Sequence, residues 1–354
     1  MNLNNLTNFD YNLPDHLIAL EPVTPRSASK LLVYSDGGIL DDQFKSLFKY
    51  LRPNDRLVFN DTKVLNARLF GERVRSSISG TGIAKIESLL IEKISENQWS
   101  AFCKPLKKLQ VSEYINFSTA LRAQVVSIIN NHCILQFSKT GRALAKEISK
   151  IGQLPLPPYI LKNRKYTDAD TLNYQSIFAK KYGAIASPTA GLHFDSALLK
   201  KLKNNDIKFS FVTLHVGAGT FLPVTTRNIS DHEMHSENGV ITKTVADDIN
   251  RTKADGGRII SVGTTSLRLI ESAAVSKREI KQFNGKTNIF IRPGYKFKMT
   301  DGLITNFHFP KSTLLMLISA FVGNKERIKI YNHALSNQYR FFSYGDSSLL
   351  IPNI

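Results

Sequence analysis

The segment DHEMHSE, residues 231–237, contains two histidines and three acidic residues within seven positions. In the zincin motif His-Glu-x-x-His, two imidazoles stand four residues apart with a glutamate between them. Here His235 follows His232 by three residues, so a zinc site would need further ligands from elsewhere in the chain. Histidine also titrates near neutral pH, which suits proton transfer. The segment alone leaves three interpretations open: a metal site, an acid–base pair or a solvated turn.

Three junctions between expected strands and helices carry hydroxyl and imidazole side chains. Helix N-termini expose N–H groups, which side-chain caps or anionic ligands can satisfy, so ordinary capping would explain each junction alone. Open α/β sheets bind ligands at the carboxyl ends of their strands, and three such junctions therefore predict one shared crevice. The junction residues are Thr189, His193, Thr264, Thr265, Ser266, His308, Ser312 and Thr313.

Another histidine, His215, ends an expected strand and precedes Gly217 and Gly219. A dinucleotide-binding fingerprint would need a third glycine where the chain has Leu222, and no GxxxxGK[ST] motif occurs. These observations argue against a Rossmann nucleotide site and against an NTP-hydrolysing loop. Five of the eight histidines stand in these loops, which favours proton transfer over purely structural roles.

The elements that must position these loops alternate along most of the chain. Residues 30–35 and 56–60 are predicted strands, and DDQFKSLFKYL between them has helical spacing. From about residue 68 to 138, short alternating runs separated by turns such as Asn130–Asn131 indicate a small β-barrel. Beyond the proline-rich GQLPLPPYI, helices such as TLLMLISAFVG alternate with strands such as TNIFI.

We therefore predict a mixed α/β (α+β) fold with two domains. Residues 1–67 and 152–354 form a discontinuous α/β main domain, and residues 68–151 form an inserted small β-barrel domain. Cys103 and Cys133 have no CxxC partners, which excludes a cysteine zinc site and a disulfide scaffold. We see no signal peptide and no apolar run of bilayer length, so we expect a cytoplasmic protein without membrane contact.

The 354-residue chain carries 47 Lys and Arg residues against 29 acidic residues, a net charge of +18. Such an excess favours a polyanionic partner such as nucleic acid. A lysine-rich proteome encoded by an AT-rich genome would give the same bias, so charge alone leaves both explanations open. The basic residues are spread along the chain and form no long tail, which indicates a folded basic surface.

Several longer segments occur in the order found in one enzyme family. They are NDTKVLNARLFG (60–71), GQLPLPPYI (152–160), SPTAGLHF (187–194), VTLHVGAGTFLPV (212–224), DHEMHSE, VGTTSLRLIES (262–272), TNFHFPKSTLLMLISAFVG (305–323) and YRFFSYGD (339–346). Together they resemble the S-adenosylmethionine:tRNA ribosyltransferase-isomerases of queuosine synthesis over nearly the whole chain. The chain departs from the family's usual residues mainly at Thr171, Ile177–Phe178, Asn238 and Lys104, which bears on contacts made by the barrel and not on the reaction.

The resemblance implies a transferase that moves and isomerises the ribosyl part of S-adenosylmethionine. The acceptor is 7-aminomethyl-7-deazaguanine at the wobble position of tRNA, and the products are epoxyqueuosine-tRNA, adenine and methionine. S-adenosylmethionine is then a consumed substrate, no cofactor or metal is expected, and the partners are this substrate and the precursor tRNA. We expect the enzyme to be a monomer.

This reaction needs a base for the C5′ proton beside the sulfonium, an acid for adenine and a deprotonated attacking amine. The methionine carboxylate suits a hydroxyl-rich helix start, the sulfonium suits aromatic faces or carboxylates, and adenine suits an aromatic ring. The candidate proton-transfer set, with individual roles open, is His215, His232, His235, Glu237 and His308. The candidate substrate-binding set is Thr189, His193, Phe194, Gly217, Gly219, Thr264, Thr265, Ser266, Arg268, Tyr344 and Asp346, with Phe221 as a second ring for adenine. The candidate phosphate contacts to tRNA are Arg26, Arg68, Lys104, Lys107, Lys108 and Arg340.

Two rival functions follow from the same residues. An RNA methyltransferase would also use S-adenosylmethionine, but the chain lacks the glycine-rich turn expected for it. An RNA-binding protein without catalytic activity would leave the histidine-rich loops unexplained. Release of adenine separates ribosyl transfer from both rivals, because methylation yields S-adenosylhomocysteine and simple binding yields neither.

Overall fold

The computed structural model describes residues 4–77, 80–217, 219 and 224–352, so Phe221 lies outside the described residues. In chain order the strands are β1 (Lys30–Ser35), β2 (Gly38–Gln43), β3 (Arg56–Asn60), β4 (Thr62–Val64), β5 (Arg68–Ser77), β6 (Gly80–Lys93), β7 (Gln98–Lys104), β8 (Tyr114–Ser118), β9 (Leu121–Ile129), β10 (His132–Phe137), β11 (Lys181–Ala184), β12 (Lys208–Leu214), β13 (Glu237–Ile241), β14 (Ile259–Val262), β15 (Ala274–Ser276), β16 (Glu279–Ile280), β17 (Phe283–Thr287), β18 (Gly302–Asn306) and β19 (Ser347–Ile351). The α-helices are α1 (Gly141–Ile151), α2 (Pro158–Asn163), α3 (Ala169–Asn173), α4 (Ser196–Asn204), α5 (Lys243–Ala254), α6 (Thr264–Ala273), α7 (Thr313–Val322) and α8 (Asn324–Ser336). Short 3-10 helices cover Leu6–Phe9, Asp15–Leu17, Arg26–Ala28, Phe44–Tyr50, Leu106–Lys108, Thr189–His193 and Ile229–Asp231.

Nine strands form one mixed sheet in the order β17-β13-β12-β3-β14-β18-β19-β1-β2. The central strands β12, β3, β14 and β18 run parallel to one another. β19 is antiparallel to β18, and β1 is parallel to β19. The carboxyl ends of the four central strands therefore share one sheet edge with the amino ends of β19 and β1.

The central strands are apolar because helices cover both faces of the sheet. In β3, every residue is buried, and Leu57 and Phe59 pack on one side with Phe194 and Leu198. Val58, which points to the opposite face, joins a separate apolar cluster that includes residues of α5 and α6. Burial of both faces holds the central strands in place, and it therefore also fixes the turns at their ends, which carry the predicted site residues.

Six antiparallel strands close into a barrel in the order β10-β7-β6-β5-β8-β9. Apolar side chains such as Ile86, Val125 and Leu135 fill its interior, and α1 packs Leu144 and Ile148 against the same core. The predicted mixed α/β fold with an inserted barrel is confirmed. The exact domain boundaries, residues 1–67 and 152–354 against 68–151, stay a prediction.

The helical prediction for DDQFKSLFKYL is confirmed only for its second part. Its first residues complete β2, and Phe44–Tyr50 form a 3-10 helix instead. Phe44 and Leu47 are three residues apart and both are fully buried, a spacing that a 3-10 helix places on one face as well as an α-helix does. The spacing of apolar residues therefore could not separate the two helix types.

The expected strand TNIFI is wrong, because β17 stops at Thr287 and Ile291 packs into the hydrophobic core from a non-strand segment. The helix over TLLMLISAFVG and the turn at Asn130, with φ of 51°, are confirmed. Among the residues described, no helix combines the length and the apolar character needed to cross a bilayer.

Gly71 of β5 provides a test of barrel packing, because a Cβ atom there would lie 2.7 Å from the Asn116 carbonyl oxygen. We expect Gly71→Ala to lower the free energy of unfolding by about 1–3 kcal/mol, since neighbouring atoms must move. Trp99, the single tryptophan, lies in β7, so its fluorescence during urea unfolding reports on the barrel. The control Gly285→Ala meets nothing within 4 Å and should behave as wild type. An unchanged transition in Gly71→Ala would contradict this packing.

Candidate active site

The turns singled out by the sequence lie along one edge of the main sheet. β3 ends at Asn60, β12 leads into His215, β14 leads into Gly263 and β18 ends at Asn306. Ser29 precedes β1 and reaches the same edge. Residues that follow parallel strands at a shared edge face a common crevice, so these groups are positioned by the sheet itself.

Asn60, which is 3% exposed, joins two of these strand ends. Its amide donates to the Leu214 carbonyl oxygen at 2.9 Å, and its Oδ1 accepts from the Leu214 N–H at 3.0 Å. The same oxygen accepts from the Thr62 N–H at 3.1 Å, and Nδ2 also donates to Thr265 Oγ1 at 3.2 Å. A buried amide with its donors and acceptors occupied in this way holds β12, β4 and α6 in one arrangement.

A cleft of about 1220 Å³ lies between this sheet edge and the barrel. The barrel side is formed by parts of β6, β7 and α1, and the sheet side by β4, β11 and the turns next to β12 and β13. Pockets for small molecules typically measure roughly 300–1,000 Å³, so this cleft has room for a nucleoside-sized ligand and more. Five sequence-predicted residues line it: His215, Gly217, Gly219, His235 and Glu237.

His215 is the half-buried imidazole of this cleft. Its Nδ1 lies 2.8 Å from Thr62 Oγ1, which lies 3.4 Å from the Lys181 carbonyl oxygen. When the Thr62 hydroxyl donates to that carbonyl, its oxygen accepts the Nδ1–H of His215, and Nε2 keeps a free lone pair. Burial lowers the pKa of His215 below its ordinary value, with partial opposition from the Asp61 charge. The neutral ring is therefore ready to accept a proton near pH 7.

Glycines make room for both cleft-lining imidazoles. A Cβ on Gly183, whose φ is +153°, would lie 2.6 Å from His215 Nδ1, and one on Gly219 would lie 2.3 Å from His235 Cδ2. His232 does not line the cleft; its ring packs edge-on against Phe290 at 5.5 Å. Burial and then the nearby His235 lower the pKa of His232. No side chain larger than hydrogen fits at either glycine without moving an imidazole.

The motif DHEMHSE has no metal-site geometry. Within the part of the chain that the structure describes, no three His, Cys, Asp or Glu side chains come together as metal ligands would. Its last residue, Glu237, instead pairs with Arg268, whose Nη1 donates to Oε2, while the Gly217 N–H donates to Oε1 at 3.1 Å. Glu237 and Arg268 are 7% and 6% exposed, so separating this pair would be costly. The pair fixes the turn after His215.

His193 and Thr189 lie at the same sheet edge but outside the cleft lining. His193 is 4% exposed, its Nδ1 is 2.9 Å from Ser29 Oγ, and its Nε2 is 3.1 Å from Asn306 Nδ2. Thr189 Oγ1 donates to Asn306 Oδ1 at 3.2 Å. Both ring nitrogens of His193 are thus occupied by the chain's own groups, so this histidine joins strand ends and has no ring nitrogen left for a ligand.

His308 also lies away from the cleft. Its Nε2 is 2.8 Å from Thr305 Oγ1, and its backbone N–H donates to Tyr331 Oη at 3.0 Å. Burial lowers the pKa of His308 to about 3. In the sheet, β3 and β14 lie between β12, which leads into His215, and β18, which leads into His308. Since His308 does not line the cleft that His215 lines, a shared proton-transfer role for the two imidazoles stays a prediction.

Phe194, predicted to stack on adenine, is packed in an aromatic core. It is 1% exposed, and its ring centroid lies 4.9 Å from that of Phe44 and 5.0 Å from that of Phe59, both in edge-to-face contact. A ring enclosed in this way offers no face to a ligand. The periodicity that identified the strand β3 did not reveal that this loop residue packs against it.

Tyr344 and Asp346, predicted to contact the sulfonium, are each 2% exposed and do not line the cleft. Asp346 accepts from the backbone N–H groups of Lys30 at 3.1 Å and Arg340 at 2.8 Å, and it also pairs with the Arg340 guanidinium. Tyr344 Oη donates to Asp170 Oδ1 at 3.4 Å. These polar atoms have partners inside the protein, and their contact with the sulfonium stays a prediction.

The start of α6 presents less polar surface than its sequence suggests. Thr264 and Ser266 are buried, and Thr265 is partly exposed with Oγ1 bonded to Asn60. Ser266 Oγ and Arg268 Nη2 are buried without a hydrogen-bond partner among the described residues. Buried polar atoms of this kind call for a ligand, water or strain to explain them. Binding of the methionine carboxylate here stays a prediction.

The six predicted tRNA contacts fall into two groups. Arg26 donates to a backbone carbonyl at 2.5 Å, and Arg68 and Arg340 form ion pairs at 2.7 and 3.2 Å, so the arginines serve internal contacts. The exposed group lies where β7 ends and the next 3-10 helix begins: Lys104, Lys107 and Lys108. Of the six, only these three lysines are fully available to a phosphate.

Several site residues escaped the sequence interpretation. Asn60 and Thr62 stand in NDTK immediately after a predicted strand, the same signal that selected Thr264, so they could have been found. Gly183 is an isolated glycine, which often marks close backbone approach. Trp99 lines the cleft from the barrel, a position that depends on how barrel and sheet meet and that no local signal reveals.

Comparisons with known proteins agree over the whole chain. The family model described as "Queuosine biosynthesis protein" matches residues 6–350. The chain is 50% identical over 347 residues to the S-adenosylmethionine:tRNA ribosyltransferase-isomerase of Ruegeria pomeroyi, and the match covers 98% of this chain and 99% of the relative. It is 50% identical over 349 residues to the protein of that name from Dinoroseobacter shibae, with the same coverage. The crystal structure of S-adenosylmethionine tRNA ribosyltransferase from Thermotoga maritima matches with a TM-score of 0.55 and 33% identity, over 97% of this chain and 100% of that one.

The buried His193 predicts how stability depends on pH. Burial, then the charges of Arg26 and Arg340, lower its pKa to about 3 in the folded chain, whereas an unfolded histidine titrates near 6.5. Between these values the unfolded chain binds more protons than the folded chain. The free energy of unfolding is therefore unaffected by this group above about pH 6.5 and decreases as the pH is lowered, by up to about 1.4 kcal/mol per pH unit. We expect the free energy of unfolding of His193→Gln, measured by urea titration at several pH values, to depend less on pH than that of wild type. Between pH 6 and pH 4 the difference should be up to about 1.4 kcal/mol per pH unit. His16→Gln, at an exposed position, is the control. If the free energy of unfolding of His193→Gln depends on pH as strongly as that of wild type, His193 is not a neutral buried ring.

Proposed function

This chain belongs to the queuosine biosynthesis family, and we propose that it acts as an S-adenosylmethionine:tRNA ribosyltransferase-isomerase. It transfers the ribosyl part of S-adenosylmethionine to 7-aminomethyl-7-deazaguanine at the tRNA wobble position and isomerises it. Adenine and methionine leave, and S-adenosylmethionine is consumed as a substrate without a metal or another cofactor. Full-length similarity to enzymes of this name supports the assignment.

The observation that carries the chemistry is the neutral His215 imidazole in the cleft. The sulfonium acidifies the neighbouring C5′ protons, and a base must remove one of them for the ribosyl group to react. His215 has its Nδ1 held by Thr62 at 2.8 Å, which directs the free lone pair to Nε2. General-base catalysis needs a base that is held in place and unprotonated, and burial, which lowers the pKa of His215, favours the unprotonated ring. His215 is therefore the base in our proposal, and Thr62 is the residue that positions it.

His235 is the second imidazole lining the cleft, and we assign to it the protonation of the leaving adenine. Glu237 also lines the cleft, where its Oε1 accepts from the Gly217 N–H two residues beyond His215. Because its charge is paired with Arg268, we assign to Glu237 the positioning of the turn after His215. His232, which packs next to His235, then acts through it and does not touch the substrate.

The substrate tRNA must deliver its wobble nucleoside into this cleft. Enzymes that react with a base take it out of the stack and place it in a pocket. The chain's net charge of +18 supports the attraction of a polyanion. Cytoplasmic location and a monomeric state complete the proposal as expectations from the family.

Product analysis tests the proposed reaction. Incubation with S-adenosylmethionine and tRNA that carries 7-aminomethyl-7-deazaguanine should release one adenine for each modified tRNA, as measured by chromatography. Unmodified guanine-bearing tRNA is the control and should give none, because it lacks the attacking amine. S-adenosylhomocysteine in place of adenine would identify a methyltransferase, and neither product would leave only an RNA-binding function.

The base assignment predicts a separation of turnover from binding. We expect His215→Gln to lower kcat by roughly 10²–10⁴-fold, the usual contribution of a general base, while the Kd for tRNA stays unchanged. Thr62→Val should lower kcat less, because the imidazole remains but loses its orienting bond. His132→Gln, a partly exposed histidine of β10, is the matched control. Full turnover in His215→Gln would refute the assignment.

A further inference from the structure

α1 forms part of the barrel-side wall of the cleft. Leu144 and Ile148 are buried against the barrel core and also contribute to the cleft lining. Gly141, Ala145 and Ser149 line the cleft. Since an α-helix turns about 100° per residue, the residue after each of these lies about 100° further round, away from the cleft wall. The positions next to the cleft lining therefore form a stripe along the rim of the opening.

That stripe is basic. Arg142, Lys146 and Lys150 directly follow the three lining residues, are spaced four apart and are all exposed. Residues with this spacing are neighbours on one helix face, so three positive charges lie within about 12 Å. The one acidic residue of α1, Glu147, forms an ion pair with Lys139 at 3.2 Å. Within the described residues, the three cations have no carboxylate at ion-pair distance.

Other cations at the cleft are less available. Lys93 pairs with Glu96 at 2.9 Å, and Lys286 pairs with Glu92 at 3.2 Å. Among the described residues at this opening, the stripe of α1 and the single Lys63 on the opposite side carry positive charge without an ion pair. Adjacent like charges disfavour one another on a helix, which leaves a polyanion as the natural partner of such an arrangement.

The sheet side of the opening has the character expected for base contact. Tyr182 of β11 is 60% exposed and Leu172 of α3 is 80% exposed, and both line the cleft. Lys63 Nζ lies 4.5 Å from the centroid of the Tyr182 ring. Single-stranded nucleic acids are bound by aromatic and apolar platforms next to positively charged tracks, which is the pairing seen across this opening.

We propose that Arg142, Lys146 and Lys150 bind the phosphates of the tRNA anticodon loop and so place the wobble nucleoside over the cleft. The proposal rests on the proposed function for the identity of the polyanion. It replaces the exposed Lys104–Lys108 group as the main phosphate contact. Lys104 lies five strand residues beyond the cleft-lining Trp99, or about 17 Å along β7, whereas each residue of the α1 stripe directly follows a cleft-lining residue.

Two triple variants with the same loss of charge test this surface. Arg142→Gln/Lys146→Gln/Lys150→Gln is compared with Lys104→Gln/Lys107→Gln/Lys108→Gln in filter binding of precursor tRNA between 50 and 200 mM salt. We expect the α1 variant to raise Kd by roughly tenfold or more and to reduce the salt slope by about 2, or about 0.7 for each phosphate that is no longer neutralised. The Lys104–Lys108 variant should change both much less. Far-UV circular dichroism and S-adenosylmethionine binding should match wild type in each.

Wild-type Kd and slope in the α1 variant would overturn the proposal, and so would equal losses of affinity in the two variants. If the triple variant does not fold, Lys146→Gln alone should still lower the slope by about 0.7, and an unchanged slope there would also overturn it. Adenine release by the wild-type enzyme is a separate readout. If wild type releases no adenine but the α1 variant still binds tRNA more weakly, the proposed function fails while the phosphate-binding surface stands.

Discussion

Backbone N–H and C=O groups at the end of a buried strand must find partners, and here two buried asparagines provide them. Asn60 holds both polar groups of Leu214, and Asn306 donates to the Phe342 carbonyl at 3.0 Å while it accepts from Thr189. These bonds join strands whose sequence positions are far apart. The turns that leave the sheet at this edge are fixed as a result, and the cleft depends on that fixed edge.

Contact with the cleft then distinguishes the histidines at this edge. His193 and His308 are surrounded closely enough that their pKa values fall to about 3, so both stay neutral and act as hydrogen-bonding joints. His215 and His308 are both half-buried, but only His215 lines the space between sheet and barrel. The inserted barrel therefore has a chemical role as well as a binding role, because it supplies the second wall that creates a partly dry site for proton transfer.

The sequence could predict what depends on local pattern. The alternating runs of the barrel, the helix starts and the motif-rich turns all follow from side-chain period and capping, and the family resemblance supplied the reaction. It could not predict which side chains turn inward: Phe194 and Asp346 stand in motif loops like those that carry His215, yet both are buried and satisfied by the chain itself. Nor could it show that α1 borders the cleft, since that contact depends on how the barrel closes against the sheet.

A crystal structure of the protein with bound S-adenosylmethionine would test the central claim most directly. We predict that the donor lies between Trp99 of the barrel and His215 of the sheet edge, with its C5′ atom next to Nε2 of His215. A donor bound instead in the small pocket lined by His193 and Tyr344, with the large cleft empty, would contradict the account.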